Sequence, residues 1–422
     1  MLEFDYIRLS LIVASTVLAY CFVSNKMKPN QKTLLLFCFL FLGLYSGVGG
    51  ALITVNANYS YFYIAYIFIL ALSIRLSTFS VDYSKDSAPL TAFADRYANK
   101  FIAIYFLLIL ITFIYPEFKL TNLFSPPPPM LSGFDFEEEG NNYGGGAISS
   151  LIYLLRSFLL PFFYIGLYKY RNNTVKVLLF LILDLYLIYC KSGYVGRGTI
   201  LQTAIICFFV VYYKLNRRAR RRLLIYILAA VPFILFGFYR YSLVRMGTDV
   251  SDETISQAVE ILFGQEIGYP QHYDHYIKLP NRHIGDYITW LVLLPLPGFL
   301  KFGYGEYYLN REFSMEALGL DVSDSSFFIL LPGVVGESIY VFGPFLFFLH
   351  AVLLGVFIKF VITTFTSNDI FTYLYMYFIV SCSFMLARAG TISVYPIMVK
   401  CFLIIVVVFY FVCHKKKKRG IA

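Results

Sequence analysis

Apolar runs of about 16 to 22 residues recur from end to end of the chain, close to the length that crosses a hydrocarbon core about 30 Å thick. They fall at about 6–24, 33–54, 60–80, 101–116, 148–168, 176–190, 198–213, 223–240, 338–359, 370–388 and 391–413. This pattern predicts an all-α fold: a single integral membrane domain over 1–422, a polytopic transmembrane helix bundle of about eleven spans. The first run follows an acidic leader (Glu3, Asp5) and carries no small-residue cleavage site, so it is expected to persist as a helix rather than be removed as a signal peptide.

The polar stretches between the runs set the orientation. Lys and Arg concentrate at Lys26–Lys32, Lys85–Lys100, Lys169–Lys176, Lys214–Arg222, around Lys359 and in the tail Lys415–Arg419. Basic loops mark the cytoplasmic side, which puts the N-terminus outside and the C-terminus inside. Ile288–Leu300 is apolar but short, holds two prolines and is followed by Lys301. A crossing there would flip every later basic loop to the wrong side. It is therefore expected to be an amphipathic or re-entrant piece of one large external loop, 241–335, since proline-broken backbone survives at membrane depth only against protein or water. A second external loop, 117–149, contains Pro126–Pro129, Glu137–Glu139 and Gly144–Gly146 and reads as irregular.

Composition agrees with a lipid-solvated chain. Of 422 residues 59% are hydrophobic and 14% charged, too few charges to cover a soluble protein of this length. The net charge of +10 sits mostly in the short loops, so it speaks for topology and against nucleic acid. The seven cysteines lie singly in or beside apolar runs, without metal-ligand spacing, and are expected to pack as small hydrophobes.

The informative charges are those that break the topology bias. Arg197, Arg240, Arg245 and Arg388 are each predicted at or near an external helix end, where positive charge is disfavoured. A headgroup anchor would explain any one of them. Guanidinium forks match phosphate oxygens, and several converging on one point would hold a diphosphate. Arg156 and Asp184 are predicted deeper, at similar depth on neighbouring helices, and are expected to pair, as a structural link or as part of a binding site. Glu337 stands in Pro332-Gly-Val-Val-Gly-Glu-Ser-Ile-Tyr-Val-Phe-Gly343, where a helix enters the membrane from outside. A carboxylate there suits a general base toward a sugar hydroxyl, or an acid interacting with a helix N-terminus. In the large loop, His272 and His275 lie three residues apart, but no Cys and no His-Glu-x-x-His pattern joins them, so no metal is expected. Sugar contact or plain solvent exposure fits them better. Tyr287, Trp290 and other loop aromatics offer faces for sugar rings, or belong to an interface belt.

Four elements in order resemble the O-antigen polymerase (Wzy-type) family, which groups with the O-antigen ligases. They are Lys191-Ser-Gly-Tyr-Val-Gly-Arg197-Gly-Thr, the loop ending Leu294-Pro-Leu-Pro-Gly-Phe-Leu-Lys301, Gly336-Glu337-Ser-Ile-Tyr340-Val-Phe342-Gly343, and Arg388-Ala-Gly390, where an alanine interrupts the expected Arg-Gly. The resemblance covers mostly the second half of the chain.

It implies a membrane glycosyltransferase that polymerises undecaprenyl-diphosphate-linked oligosaccharide repeat units into O-antigen or a related polysaccharide, at the periplasmic face of the bacterial inner membrane. The implied partners are that lipid-linked glycan, membrane lipid and a polysaccharide chain-length regulator; no cofactor is implied. Glu337 would activate the acceptor, while Arg197, Arg245 and Arg388 would bind the diphosphate and stabilise it as it leaves. Arg240, Arg156, Asp184, His272, His275 and Tyr340 would contact substrate. The competing expectations are an O-antigen ligase with similar parts and a lipid-linked oligosaccharide flippase. The latter predicts charges along a midplane path near broken helices.

Overall fold

The computed structural model describes residues 3–78, 82–84, 87–114, 147–192, 197–246, 284–293, 296, 302, 309–324, 327, 329–391, 393–395, 398–399, 405 and 408–411. The described residues are almost entirely helical, 85%, and no strand occurs among them. Its helices are α1 (Tyr6–Ser24), α2 (Pro29–Phe41), α3 (Ala57–Leu76), α4 (Ser87–Ile114), α5 (Ala147–Leu167), α6 (Thr174–Ser192), α7 (Arg197–Tyr212), α8 (Arg217–Met246), α9 (Ile284–Leu293), α10 (Leu309–Leu318), α11 (Gly333–Phe365) and α12 (Thr372–Ala389). Six helical stretches among the described residues are long and apolar enough to cross a membrane: Tyr6–Ser24, Gln31–Ala51, Ala57–Leu76, Arg217–Arg240, Gly333–Phe365 and Asp369–Ala389.

The backbone follows the apolar runs except where charged sequence is itself helical. From Ser87 on, the basic stretch read as the loop Lys85–Lys100 is the first half of α4. Hydropathy locates what can sit in lipid; it does not mark where a helix stops. The run read as 33–54 is helical in three different windings: α2 gives way to a π-helical turn at Leu42–Gly47 and a 3₁₀ turn at Val48–Ala51.

Two compact units are present. The first comprises Met1–Ser87, Phe263–Asp369 and Ser381–Phe411; the second comprises Ala88–Leu262, Ile370–Val380 and Val412–Ala422. In the first unit α11 packs along α3, and α1 lies against the same helix. Polar links stitch the apolar contacts. Thr16 and Tyr63 hydroxyls lie 2.6 Å apart, Cys38 Sγ and Ser383 Oγ 3.1 Å, and Gln31 Nε2 donates to Thr366 Oγ1 at 3.0 Å.

The long helix α11 is two pieces. Gly343 has φ 75° and ψ 171°, outside helical space, and Pro344 follows it. Glycine alone adopts that φ without strain, and proline is tolerated as the first residue of a new helix. The piece before the break, 333–342, is buried on every side and spans only about 15 Å at 1.5 Å per residue. The piece after it, 344–365, spans about 33 Å, enough to cross the bilayer by itself. It exposes Phe345, Leu346, Phe348, Leu349 and Leu353 along one side. The sequence reading began this span at 338; the backbone becomes helical earlier and is broken where the reading ran straight through.

In the second unit, α4, α5 and α6 share a core in which Tyr105 stacks on Phe163 with ring centroids 4.4 Å apart. Tyr164 on α5 meets Tyr377 on α12, centroids 4.8 Å apart.

Candidate functional site

Glu337 lies in the second turn of α11 and is wholly buried. It is too far along to serve as the N-terminal acid of its own helix, whose first turn holds no acidic residue. Three donors meet it instead. Tyr287 Oη, from the short helix α9, donates to Oε1, as does Thr391 Oγ1; the backbone N–H of Thr391 donates to Oε2 at 2.6 Å. The remaining side of the arrangement is closed by Tyr287 Oη and Thr391 Oγ1, which lie 2.8 Å apart.

Glu337 Oε1, Tyr287 Oη and Thr391 Oγ1 thus form a triangle of mutual hydrogen-bond contacts. A hydroxyl donates one proton and an ionised carboxylate none. Two hydroxyl protons cannot fill three contacts, so with Glu337 ionised one edge of the triangle is bare. The ring closes when Glu337 takes up a proton.

The backbone around Thr391 is shaped to allow this. α12 ends at Ala389, Gly390 turns with φ 79°, and helical backbone resumes at Thr391. A Cβ on Gly390 would collide with Glu337 Oε2. Only a residue without a side chain lets the carboxylate reach the Thr391 N–H.

A further contact leads away from the triangle. Thr391 Oγ1 lies 3.4 Å from His350 Nε2, and His350 Nδ1 lies 2.8 Å from Tyr66 Oη on α3. His350 and Tyr66 are both buried. None of Thr391, His350 and Tyr66 was singled out from the sequence, and Tyr287 only as a possible sugar platform. His350 carried a usable signal, an ionisable residue inside an apolar run. Thr391 carried none, because its role comes from the turn at Gly390.

The expected site residues distribute as follows. Arg388 lies in the last turn of α12, half-buried, three residues before Thr391 in the same unit as Glu337. Tyr340 is buried; its hydroxyl donates to Glu316 at 2.5 Å and its ring meets Phe313 edge-on. Arg156, Asp184, Arg197, Arg240 and Arg245 belong to the second unit. There Arg156 Nη2 pairs with Asp184 Oδ1 at 2.8 Å, and Tyr105 Oη donates to the same oxygen. The pair anticipated from depth alone therefore forms, with side chains 12% and 8% exposed. Arg240 is exposed on α8, its guanidinium 6.0 Å from the Phe236 ring centre. Arg197 opens α7 and Arg245 lies near the end of α8, but their side chains fall outside the described residues, as do His272, His275, the tail Lys415–Arg419 and most of the two external loops.

The described part of the large loop includes α9, ten residues from Ile284 to Leu293. At about 15 Å it is too short to cross a bilayer. Its buried face carries Tyr287 and Trp290, and it delivers Tyr287 to Glu337. Among the described residues no three His, Cys, Asp or Glu side chains gather as a metal site. No protein-family model, curated protein or solved structure matches the chain.

Proposed function

We propose that this chain is a glycosyltransferase that polymerises undecaprenyl-diphosphate-linked oligosaccharide repeat units at the outer face of a bacterial inner membrane. In this reading the bundle has about eleven spans, with the N-terminus outside, the C-terminus inside and 241–335 as the external loop that grips the glycan. The observation that carries it is the triangle of contacts among Glu337, Tyr287 and Thr391, whose three edges need one more proton than the two hydroxyls supply. A loop residue and a buried carboxylate make one proton-accepting group, which is what activation of a sugar hydroxyl requires.

The reaction follows from that group and the cations. The acceptor hydroxyl attacks the anomeric carbon of the lipid-linked donor, and its proton passes to Glu337. The bond from the anomeric carbon to the diphosphate breaks, with its electron pair leaving on phosphate oxygen. Arg388, three residues before Thr391 in the chain, is assigned to that developing charge, because guanidinium matches phosphate geometry and stays charged. Arg197 and Arg245 keep the diphosphate-binding role inferred from the sequence. Arg240 is a peripheral contact. The Arg156–Asp184 pair is internally neutralised, which makes it the weakest of the substrate contacts inferred from sequence and a better structural link. A chain-length regulator is the protein partner such a polymerase would need.

The test is the length of surface polysaccharide in cells lacking the chromosomal copy and expressing Glu337→Gln or Arg388→Ala. Each well-inserted variant is expected to leave single repeat units on their acceptor. Full-length polymer from either removes that residue from the mechanism. A bare acceptor on deletion of the chain would instead indicate the ligase.

One observation favours a transporter as the second reading. α11 is broken at Gly343, and the polar chain from Glu337 ends at Tyr66, midway along α3. Discontinuous helices and midplane polar groups are the parts of a transport site. A flippase predicts that deletion traps lipid-linked repeat units on the cytoplasmic leaflet; a polymerase leaves them accessible outside.

A further inference from the structure

We infer that one end of the second unit is a binding face for anionic phospholipid, with Arg217, Arg218, Arg221 and Arg222 holding the headgroup phosphate. The apolar stretches of α4, α6 and α8 begin at this end, and those of α5 and α7 stop there. Three polar segments meet on it. Lys169 Nζ donates to the Asp95 carbonyl at 3.4 Å and Tyr170 Oη to Asn99 Oδ1 at 2.6 Å, which joins the α5–α6 turn to α4. Lys214 Nζ donates to the Arg171 carbonyl, which joins the α7–α8 turn to the α5–α6 turn. Segments 95–100, 168–176 and 212–222 together hold eleven Lys and Arg but a single acid, Asp95. A face of one sign at this density attracts counter-ions.

The arginines of α8 divide into one that is used by the fold and four that are not. Arg220 Nε and Nη2 donate to the carbonyls of Tyr212 and Tyr213 at 2.9 Å and 3.1 Å, which satisfies the end of α7. Arg217, Arg218, Arg221 and Arg222 are exposed and meet no acid or carbonyl among the described residues. Arg217 stands one turn from Arg221 and Arg218 one turn from Arg222, a spacing at which like charges oppose the helix. Positive charge in a first turn opposes it too, and no acid stands there to compensate. An anion among the four relieves both penalties. Orientation by charge alone would be served as well by lysine. All five cations of 217–222 are arginine, whose fork binds phosphate oxygens in pairs.

The helix beyond the arginines selects the kind of phosphate compound. Arg217–Arg240 is long and apolar enough to cross a membrane, and only 6% of its apolar window is buried. Leu224, Ile225, Leu228 and Phe233 are exposed in the turns that follow the arginines. A phosphate held there lies at the head of an open apolar surface. An anionic phospholipid fits both parts, its phosphodiester on the guanidiniums and its acyl chains along α8. A free phosphate or a nucleic acid fits the first part alone. The lipid would thereby fasten a helix that little of the protein covers.

The experiment uses the full-length chain purified in mild detergent. It measures binding of fluorescent phosphatidylglycerol and of phosphatidylcholine with the same acyl chains. The native chain is expected to prefer phosphatidylglycerol by about tenfold or more, since each cation near an anionic headgroup is worth about fivefold. Raised ionic strength should erode the preference. Combining Arg217→Gln, Arg218→Gln, Arg221→Gln and Arg222→Gln should bring the two lipids to within about twofold of each other. Combining Arg217→Lys, Arg218→Lys, Arg221→Lys and Arg222→Lys keeps the charge and the insertion signal, and should retain only part of the preference. Equal binding of both lipids by the native chain overturns the inference, as does full preference in the glutamine variant. Displacement by glycerol 3-phosphate as effective as by the lipid overturns it in favour of a free-phosphate site. Displacement by a short oligonucleotide at equal phosphate concentration overturns it in favour of a nucleic acid. Should the glutamine variant fail to insert, the native preference and its reduction in the lysine variant decide the question. None of these readouts depends on polymer formation.

Discussion

The Nδ1 of His350 lies 2.8 Å from the hydroxyl of Tyr66, tying the second piece of α11 to the middle of α3. Both groups are buried, and the bond is a polar link between two helices that pack along each other.

Removing that hydroxyl in Tyr66→Phe leaves the imidazole nitrogen unpaired in a buried site. Side-chain hydrogen bonds between membrane helices contribute about 0.6 kcal/mol on average and up to about 1.7. Full burial places this one toward the upper part of that range. Thermal unfolding in detergent should show a loss of about 1–2 kcal/mol, and a variant as stable as the native chain would show the bond to be dispensable.

Gly390→Ala tests the turn that delivers Thr391 to Glu337. The substitution meets two obstacles: a φ of 79°, and a collision between the new Cβ and Glu337 Oε2. Left-handed backbone at a non-glycine residue costs about 1–3 kcal/mol. The carboxylate must also give up the Thr391 N–H. The expected result is reduced stability together with loss of polymer, whereas Gly237→Ala, inside α8 where a Cβ meets nothing, should lower neither.

Why these residues were invisible in the sequence follows from what sequence patterns encode. Long apolar runs specify helices, and the runs at 6–24, 60–80 and 370–388 fall within a few residues of α1, α3 and α12. Glu337 could be singled out because a lone acid beside glycines at a membrane boundary is costly. Arg156 and Asp184 could be matched because helix rise gives depth. Thr391 could not, since a threonine in an apolar run is ordinary. Its importance depends on a break in α11 and a turn after α12 that together make residues distant in the chain into neighbours. The break is legible as Gly343-Pro344, but the apolar pattern continues straight across it and masks the end of a helix.

Arg156 and Asp184 should behave as a unit. Each side chain is nearly buried, and Tyr105 Oη adds a second donor to the shared Asp184 oxygen. Deleting one member leaves a charge without its partner, which costs about 3–5 kcal/mol in buried pairs. Replacing both with apolar residues of similar size is often neutral. Asp184→Leu and Arg156→Leu should therefore each lower expression and thermal stability, and the double variant should recover most of the loss. A double variant that is stable but makes no polymer would return the pair to the substrate site.

Glu337→Gln separates the two roles the carboxylate could have. If Glu337 only holds the turn at Thr391, an amide that meets the same partners less well should weaken the fold. If it is there to accept a proton, the amide does something different. The carboxamide oxygen can still accept the Thr391 N–H at the Oε2 position, while its NH₂ group supplies the donor that the triangle with Tyr287 and Thr391 lacks. The variant is then expected to unfold no earlier than the native chain, yet to lose about 100-fold or more in polymer formation, the scale of a removed general base. Glu337→Asp, shorter by one methylene, should lose both stability and activity because its oxygens withdraw from all three donors. A glutamine variant that is markedly less stable but polymerises normally when expressed would make Glu337 a structural acid, and the transferase reading would lose its central residue.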